Sequence, residues 1–392
     1  MDILIVCCYY KFEKKLGLKI FLFRKRICLN LTKIVLTGGP CAGKTKVFEA
    51  LKKHISQKGI KLIAVAETAT ELINGGVRPY EAKKIMDFQD IVYSLQKCKE
   101  DMAQKALGIN KGEERCVILF DRAIIDNKAY LPRQEDFDYL LTKYGNSEIN
   151  LLDSYDYVIN LFSLAACEEG SYDLASNEAR FENLEEAKDL DQKTIEAWIG
   201  HKNIKVFNSF PTLEEKIDAV IRHVDNILNG TVTKNIQTYY VDTCNSDLSV
   251  YNDNNSKTVS IKDIHLKNDK SSDLDLIITE STYKGSKSYQ FSVKRETNDA
   301  IEDIYHKQIT LQKRAELLAT FGIKGVSERM ELTFVENKQP YKINFYKDFT
   351  TLEVEENLQN KKLKIPANIV VDGKIKGAKK KELQSKILVK KS

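Results

Sequence analysis

Eight residues, Gly38-Gly39-Pro40-Cys41-Ala42-Gly43-Lys44-Thr45, limit what this chain can fold into more than any other stretch. They fit the pattern G-x-x-x-x-G-K-[ST], and their surroundings give the pattern its meaning. An apolar, β-branched run, Ile34-Val35-Leu36, precedes them and reads as a strand. An amphipathic segment follows, with Val47, Leu51 and Ile55 on one face and Gly59 placed to end it. Strand, glycine loop and helix in that order bring several backbone N–H groups together at a helix N-terminus, where the helix dipole favours an anion. In such a cradle Lys44 reaches the outer phosphates of a nucleoside triphosphate, GTP or ATP, and the Thr45 hydroxyl ligates Mg²⁺. Gly38, Gly39, Pro40, Cys41, Ala42, Gly43, Lys44 and Thr45 are therefore the expected nucleotide-binding residues.

The rest of the chain reads as two parts of different texture. A second strand is expected at 61–66, a short helix up to Gly75-Gly76, and a long helix from near Glu81 with Ile85, Phe88, Val92, Leu95, Met102 and Ala106 inward. Cys116-Val117-Ile118-Leu119-Phe120-Asp121 is an unbroken apolar run ending in an acid, as in a strand buried on both faces of a parallel sheet. Further strands at 157–162 and 205–208 and a helix with Leu213, Ile217, Val220, Val224 and Leu228 inward complete the series. Strands alternating with helices over residues 31–230 predict a doubly wound parallel α/β sheet of the P-loop NTPase or kinase kind. From 231 the strands alternate instead: Tyr289, Phe291 and Val293; Met330, Leu332 and Phe334; Tyr341, Ile343 and Phe345; Leu352 and Val354. With one helix at 310–321, this predicts an antiparallel α+β domain over 231–373. The polar stretch from Cys244 to Ser272 reads as loop-rich or partly disordered.

The ends are basic. Residues 1–33 hold eight Lys or Arg against Asp2 and Glu13, and the tail, 374–392, holds eight lysines. The first thirty residues contain no uncharged apolar run near the roughly 18 that span a bilayer and no small-residue cleavage site. They read as an extension of unclear status, with a basic amphipathic anchor, a transit peptide and a misassigned start as alternatives. A net charge of +5 gives no reason to expect a nucleic-acid partner. Eight scattered cysteines without a C-x-x-C pair read as reduced thiols of a cytoplasmic protein, and five dispersed histidines support no zinc site.

Three further positions carry candidate chemistry because ligands of open α/β sheets sit at the carboxyl ends of strands. Asp121, closing its strand, would hold Mg²⁺ with Thr45; a helix N-cap is the plainer alternative. Glu67, after the second strand, would act as a base on an acceptor hydroxyl or position a water, if it is not a solvated loop carboxylate. Arg122 would pair with a phosphate or with Asp126. Arg180 lies where a mobile lid would place a charge-neutralising arginine, and is otherwise a surface residue.

The pieces 38–45, Glu67-Thr68-Ala69-Thr70, Phe88-Gln89, Asp121-Arg122 with Asp126 and Ala129-Tyr130, and Trp198-Ile199-Gly200-His201 occur in an order that resembles the NadR-type AAA domain of the TRPL translocation-defect family. Lys307-Gln308-Ile309-Thr310, Ser327-Glu328-Arg329, 341–346 and Leu352-Glu353-Val354-Glu355 resemble that family's CYTH-like (triphosphate-tunnel) barrel. The resemblance implies GTP binding, contact with an anionic phospholipid (phosphatidic acid or a phosphoinositide), membrane-protein cargo, a role in trafficking and peripheral attachment to a membrane. The barrel departs from the catalytic pattern. Ile236–Val241 lacks E-x-E-x-K, and Ile278-Thr279-Glu280-Ser281 carries no arginine, although a triphosphate needs several paired cations. Lys294, Arg295, Arg329 and Lys342 remain as an inner or rim set. The expectation is a nucleotide·Mg²⁺-binding protein with a degenerate barrel; a P-loop kinase for a nucleoside-like hydroxyl is the rival, and a CYTH-type triphosphatase the third reading.

Overall fold

The computed structural model describes residues 31–79, 84–108, 115–162, 184–208, 210–252, 255–268, 273–297, 300–356, 364–375 and 387. The N-terminal extension, Arg180 and all of the tail lysines except Lys374 lie outside them.

The first half runs β1 (Leu31–Gly38), α1 (Lys44–Gln57), β2 (Lys61–Val65), α2 (Thr68–Asn74), α3 (Ile85–Gly108) and β3 (Cys116–Asp121). After a 3-10 turn (Ile124–Tyr130) come α4 (Gln134–Lys143), α5 (Glu148–Ser154), β4 (Tyr157–Leu161), α6 (Leu184–Ala197), β5 (Ile204–Phe207) and α7 (Leu213–Asn229). The five strands are parallel in the order β2-β3-β1-β4-β5. Alternate residues of the central strands enter two cores. Ile34, Leu36, Val117 and Ile159 pack under α1 and α7, while Val35, Ile118, Phe120 and Val158 pack under the opposite layer with Tyr93, Phe137 and Trp198. Burial on both faces is why these strands read as unbroken apolar runs. The α/β fold is as expected.

The long helix turns differently from its apolar spacing. Phe88 and Val92 are buried, but Met102 is 62% exposed, and Gln89, Tyr93 and Gln96 face the core. Gln96 finds partners just past the ends of β2 and β3, accepting from Thr68 and donating to the Arg122 carbonyl at 3.4 Å, while Tyr93 accepts from Asn146 at 2.7 Å.

The second half contains β6 (Val232–Lys234), β7 (Ile236–Val241), β8 (Ser256–Leu266), β9 (Leu274–Tyr283), β10 (Ser286–Thr297), β11 (Ala300–Gln308), α8 (Leu311–Phe321), β12 (Ile323–Glu336), β13 (Gln339–Phe345), β14 (Thr350–Glu355) and β15 (Val371–Lys374). All pairings are antiparallel, in the order β15-β7-β14-β13-β12-β8-β9-β10-β11-β6. Because β6 and β7 are separated by Asn235 alone, the segment 232–241 pairs with β11 through its first part and with β14 through its second. The sheet thereby closes into a barrel, with β15 added on β7. The expected loop-rich stretch is corrected here, since residues 256–266 form an eleven-residue strand. Met330 is also corrected: it is 43% exposed, beside buried Leu332 and Phe334.

The two halves are joined through the barrel interior. Ile149 of α5 packs on Val259, Ile261 and Tyr283. The neighbouring Glu148 carboxylate meets Lys257 Nζ at 2.7 Å, both side chains being almost fully buried. Elsewhere between the halves His306 Nε2 lies 2.8 Å from the Asp156 carbonyl, Lys307 pairs with the Asp156 side chain, and Lys205 Nζ meets Glu355 at 2.6 Å.

Candidate functional site

The sharp turn out of β1 is set by close approach. A side chain on Gly38, at φ +140°, would put its Cβ 2.0 Å from the Leu161 carbonyl oxygen of β4. Gly43, at φ +83°, delivers the chain into α1, whose first N–H groups have no intrahelical acceptor. Thr45 is exposed there. Lys44 folds back so that its Nζ donates to the Gly39 carbonyl at 2.8 Å, and burial, then Arg122, lower its pKa to about 8.

Register supplies the remaining groups. Pairing of Leu36 with Asp121, and of Val65 and Val35 with Phe120, aligns the carboxyl ends of β1, β3 and β2. Asp121, Arg122 and Glu67 therefore stand beside the loop, within electrostatic reach of Lys44. Arg122, in the left-handed region at φ +63°, donates Nε to Glu67 Oε1 at 2.6 Å and lies 3.9 Å from Asp126. Thr70 donates to the other Glu67 oxygen at 2.9 Å. Burial opposes ionisation of Glu67, but Arg122 and Lys44 outweigh it and hold the carboxyl at about 2. Asp121 moves the other way, raised to about 6 by burial and then by Glu67.

Among the described residues, two buried polar atoms here find no hydrogen-bond partner: Asp121 Oδ1, an acceptor, and Arg122 Nη1, a donor. An orphaned carboxylate oxygen suits a cation and an orphaned guanidinium N–H suits an anion, so the pair fits a Mg²⁺·phosphate group. Asp126 has another part. Its oxygens accept from Thr37 at the end of β1, from Trp198 Nε1 at 3.3 Å and from the Ala123 N–H at 2.7 Å. It fastens the site's walls together, and Trp198 of the Trp-Ile-Gly-His stretch is one of its fasteners.

Two residues absent from the sequence reading touch the loop. Asp191 of α6, 3% exposed, accepts the Gly39 N–H at 3.0 Å. Lys216 of α7 is fully buried, with Nζ donating to Ala42 O at 3.2 Å and Phe162 O at 2.9 Å. Both look like solvated helix residues in the sequence, and only their arrival at the loop distinguishes them.

The barrel encloses a cavity of about 370 Å³ with charged walls. Its cations meet acids of the same wall: Arg329 with Asp263 at 2.5 Å and Glu331 at 3.3 Å, Lys342 with Glu331 at 3.4 Å, and Lys234 with Asp303 at 3.9 Å. Lys294 lines the cavity without an ion pair among the described residues. Arg295 does not line it, and pairs instead with Asp273 at 3.2 Å and Glu302 at 3.1 Å. Where a metal-binding E-x-E-x-K run would face inward, β7 presents Ile236, with Thr238 on the same face. Lys202, from the α/β half, reaches in and donates to Ser281 at 3.4 Å.

Residues 33–216, somewhat under half of the chain, match a protein-family model described as an AAA domain. Together with the loop and its strand-end carboxylates, the match makes the α/β half a P-loop nucleotide-binding module. No curated protein matches the chain. Similar solved structures include the PH1819 protein of Pyrococcus horikoshii OT3, at 13% identity over 33% of this chain and 80% of that one with a TM-score of 0.27. They also include the PH1012 protein of the same organism, at 12% identity over 32% and 80% with a TM-score of 0.27. A conserved hypothetical protein of Pyrococcus furiosus is similar at 14% identity over 32% and 80%, with a TM-score of 0.26. Neither fold nor function is read from likenesses this low. No described helix is long and apolar enough to cross a membrane.

Proposed function

We propose that the nucleotide module is a Mg²⁺-dependent phosphoryl-transfer site of the small-molecule-kinase kind, with GTP or ATP as donor and a nucleoside-like hydroxyl as acceptor. The observation that carries this reading is the pair of Glu67 and Arg122 beside the phosphate loop, with one guanidinium N–H left over. A terminal phosphate entering the cradle competes with Glu67 for Arg122, which then neutralises charge on the transferred group. Glu67, losing the cation that holds its pKa near 2, becomes basic enough to take a hydroxyl proton. Thr45 and Asp121 would hold Mg²⁺, which supplies further charge neutralisation at the phosphates.

The test is incubation with GTP or ATP, Mg²⁺ and a panel of hydroxylated acceptors, with product mass as readout. Glu67→Gln should keep triphosphate binding and lower transfer by roughly 10²–10⁴-fold. Transfer undiminished in Glu67→Gln removes it from the base role, and tight binding with no phosphorylated acceptor removes the kinase reading.

A second reading is a nucleotide-controlled binding protein in membrane-protein trafficking, with a degenerate CYTH-like barrel and an anionic phospholipid partner. The ion-paired cavity wall favours it, since cations committed to neighbouring acids are poorly placed to hold a triphosphate for hydrolysis. Flotation with phosphatidic-acid or phosphoinositide vesicles, lost at high salt and absent with neutral vesicles, is its expected signature.

A further inference from the structure

A buried ammonium is costly unless its surroundings repay the lost hydration, so the position of Lys216 calls for a reason. It sits in the first turn of α7, which is capped by Thr212, whose side chain accepts the Glu215 N–H at 3.2 Å. Three residues earlier on the same helical face is Leu213, and a Cβ built on Gly43 would come within 2.9 Å of Leu213 Cδ1. Leu213 and Lys216 therefore bear on the same peptide, the one between Ala42 and Gly43. Leu213 packs on its glycine side, and Lys216 takes its carbonyl at 3.2 Å while also tying down Phe162 O at the end of β4.

In a trans peptide the C=O and N–H vectors point in opposite directions. Holding the Ala42 carbonyl toward α7 thus turns the Gly43 N–H away from α7, to the open side of the loop. We infer that the first turn of α7 is a clamp on the phosphate loop, and that Lys216 is a positioning residue for triphosphate binding. It fixes an amide donor before the ligand arrives, so that binding need not order it. The inference rests on the loop being the triphosphate site.

Two measurements separate the clamp from that premise. In the free full-length protein, Lys216→Met should speed amide hydrogen exchange of the segment 39–45 at least about tenfold while leaving β1 and β3 protected. With GTP or ATP and Mg²⁺, the same variant should lose roughly tenfold or more in affinity, whereas its affinity for the nucleoside without phosphates stays unchanged. A role confined to stability would move the melting temperature and leave both the local exchange and the triphosphate-to-nucleoside ratio in place. A folded Lys216→Met protein with unchanged loop exchange overturns the clamp; unchanged triphosphate affinity overturns the positioning role. If the wild type binds neither triphosphate, the nucleotide reading and the positioning role both fail, and the exchange arm still decides the clamp. Should Lys216→Met not fold, Leu213→Ala takes its place, because it loosens the same peptide from the other side. Faster exchange at 43–45 is expected there, and wild-type exchange would count against the clamp.

Discussion

At the loop, the hydrogen bond described for Lys44 Nζ runs to the Gly39 carbonyl, within the loop itself rather than in a core. Lys44→Ala should therefore leave the melting temperature nearly unchanged while removing a charge-assisted contact of about 1.5–3 kcal/mol, roughly tenfold or more in triphosphate affinity by calorimetry. Asp121 adds a pH dependence. Burial and then Glu67 raise its pKa to about 6, and the protonated carboxyl cannot ligate a cation. Mg²⁺-dependent binding should accordingly weaken as pH falls from 7 through 6, and Asp121→Asn should bind weakly with a flat profile. Equal pH profiles for wild type and variant would detach Asp121 from the metal. Lys44 was legible from the G-x-x-x-x-G-K-[ST] spacing, and Asp121 and Glu67 from their places at the ends of strands. Asp191 and Lys216 were not, because they meet the loop from 152 and 174 residues away, and nothing local marks them.

Among the elements, β8 shows why sequence texture misled. Strand prediction relies on a continuous apolar face, but charge interrupts the barrel's interior face: Asp263 and His265 line the cavity from β8, and Arg329 and Glu331 from β12. On β8, Val259 and Ile261 share the inward face with Lys257 and Asp263, and a strand whose face mixes charge with modest apolar residues resembles a solvated loop. The outer face carries an apolar cluster of its own, with Ile264, Ile278, Phe291 and Leu317 of α8. Ile278→Ala, at a side chain with no exposed surface, should cost about 2–5 kcal/mol and lower the melting temperature. Because this cluster is remote from the phosphate loop, triphosphate affinity of the folded fraction should not change. A nucleotide module that weakens in parallel would mean that the barrel's packing reaches the loop.

Over the whole molecule, the seam between the halves depends on buried charge. Burial opposes ionisation of Glu148, but Lys257 and Lys128 outweigh it and lower the carboxyl from 4.5 to about 2. A depressed carboxyl contributes fully above 4.5, and the contribution is lost as pH falls from there toward 2. Acid should thus loosen the seam within that window, readable as proteolysis between the halves before either half melts. Lys257→Met leaves Glu148 with Lys128 alone and should destabilise by about 3 kcal/mol, while adding Glu148→Leu should recover most of the loss. Chemical denaturation of the two variants measures both. Seams of this kind pair residues far apart in the chain, so composition gave no sign of them. The ring of strands has a different consequence. Segment 232–241 is bonded on both flanks, so the ten-stranded sheet ends at β15, a four-residue strand in which Asp372, Gly373 and Lys374 are exposed. That is a poor template for edge-to-edge association. A proline at Ile236, which pairs with Glu355 of β14, would open the ring at that margin, and the expected result is aggregation detectable by light scattering.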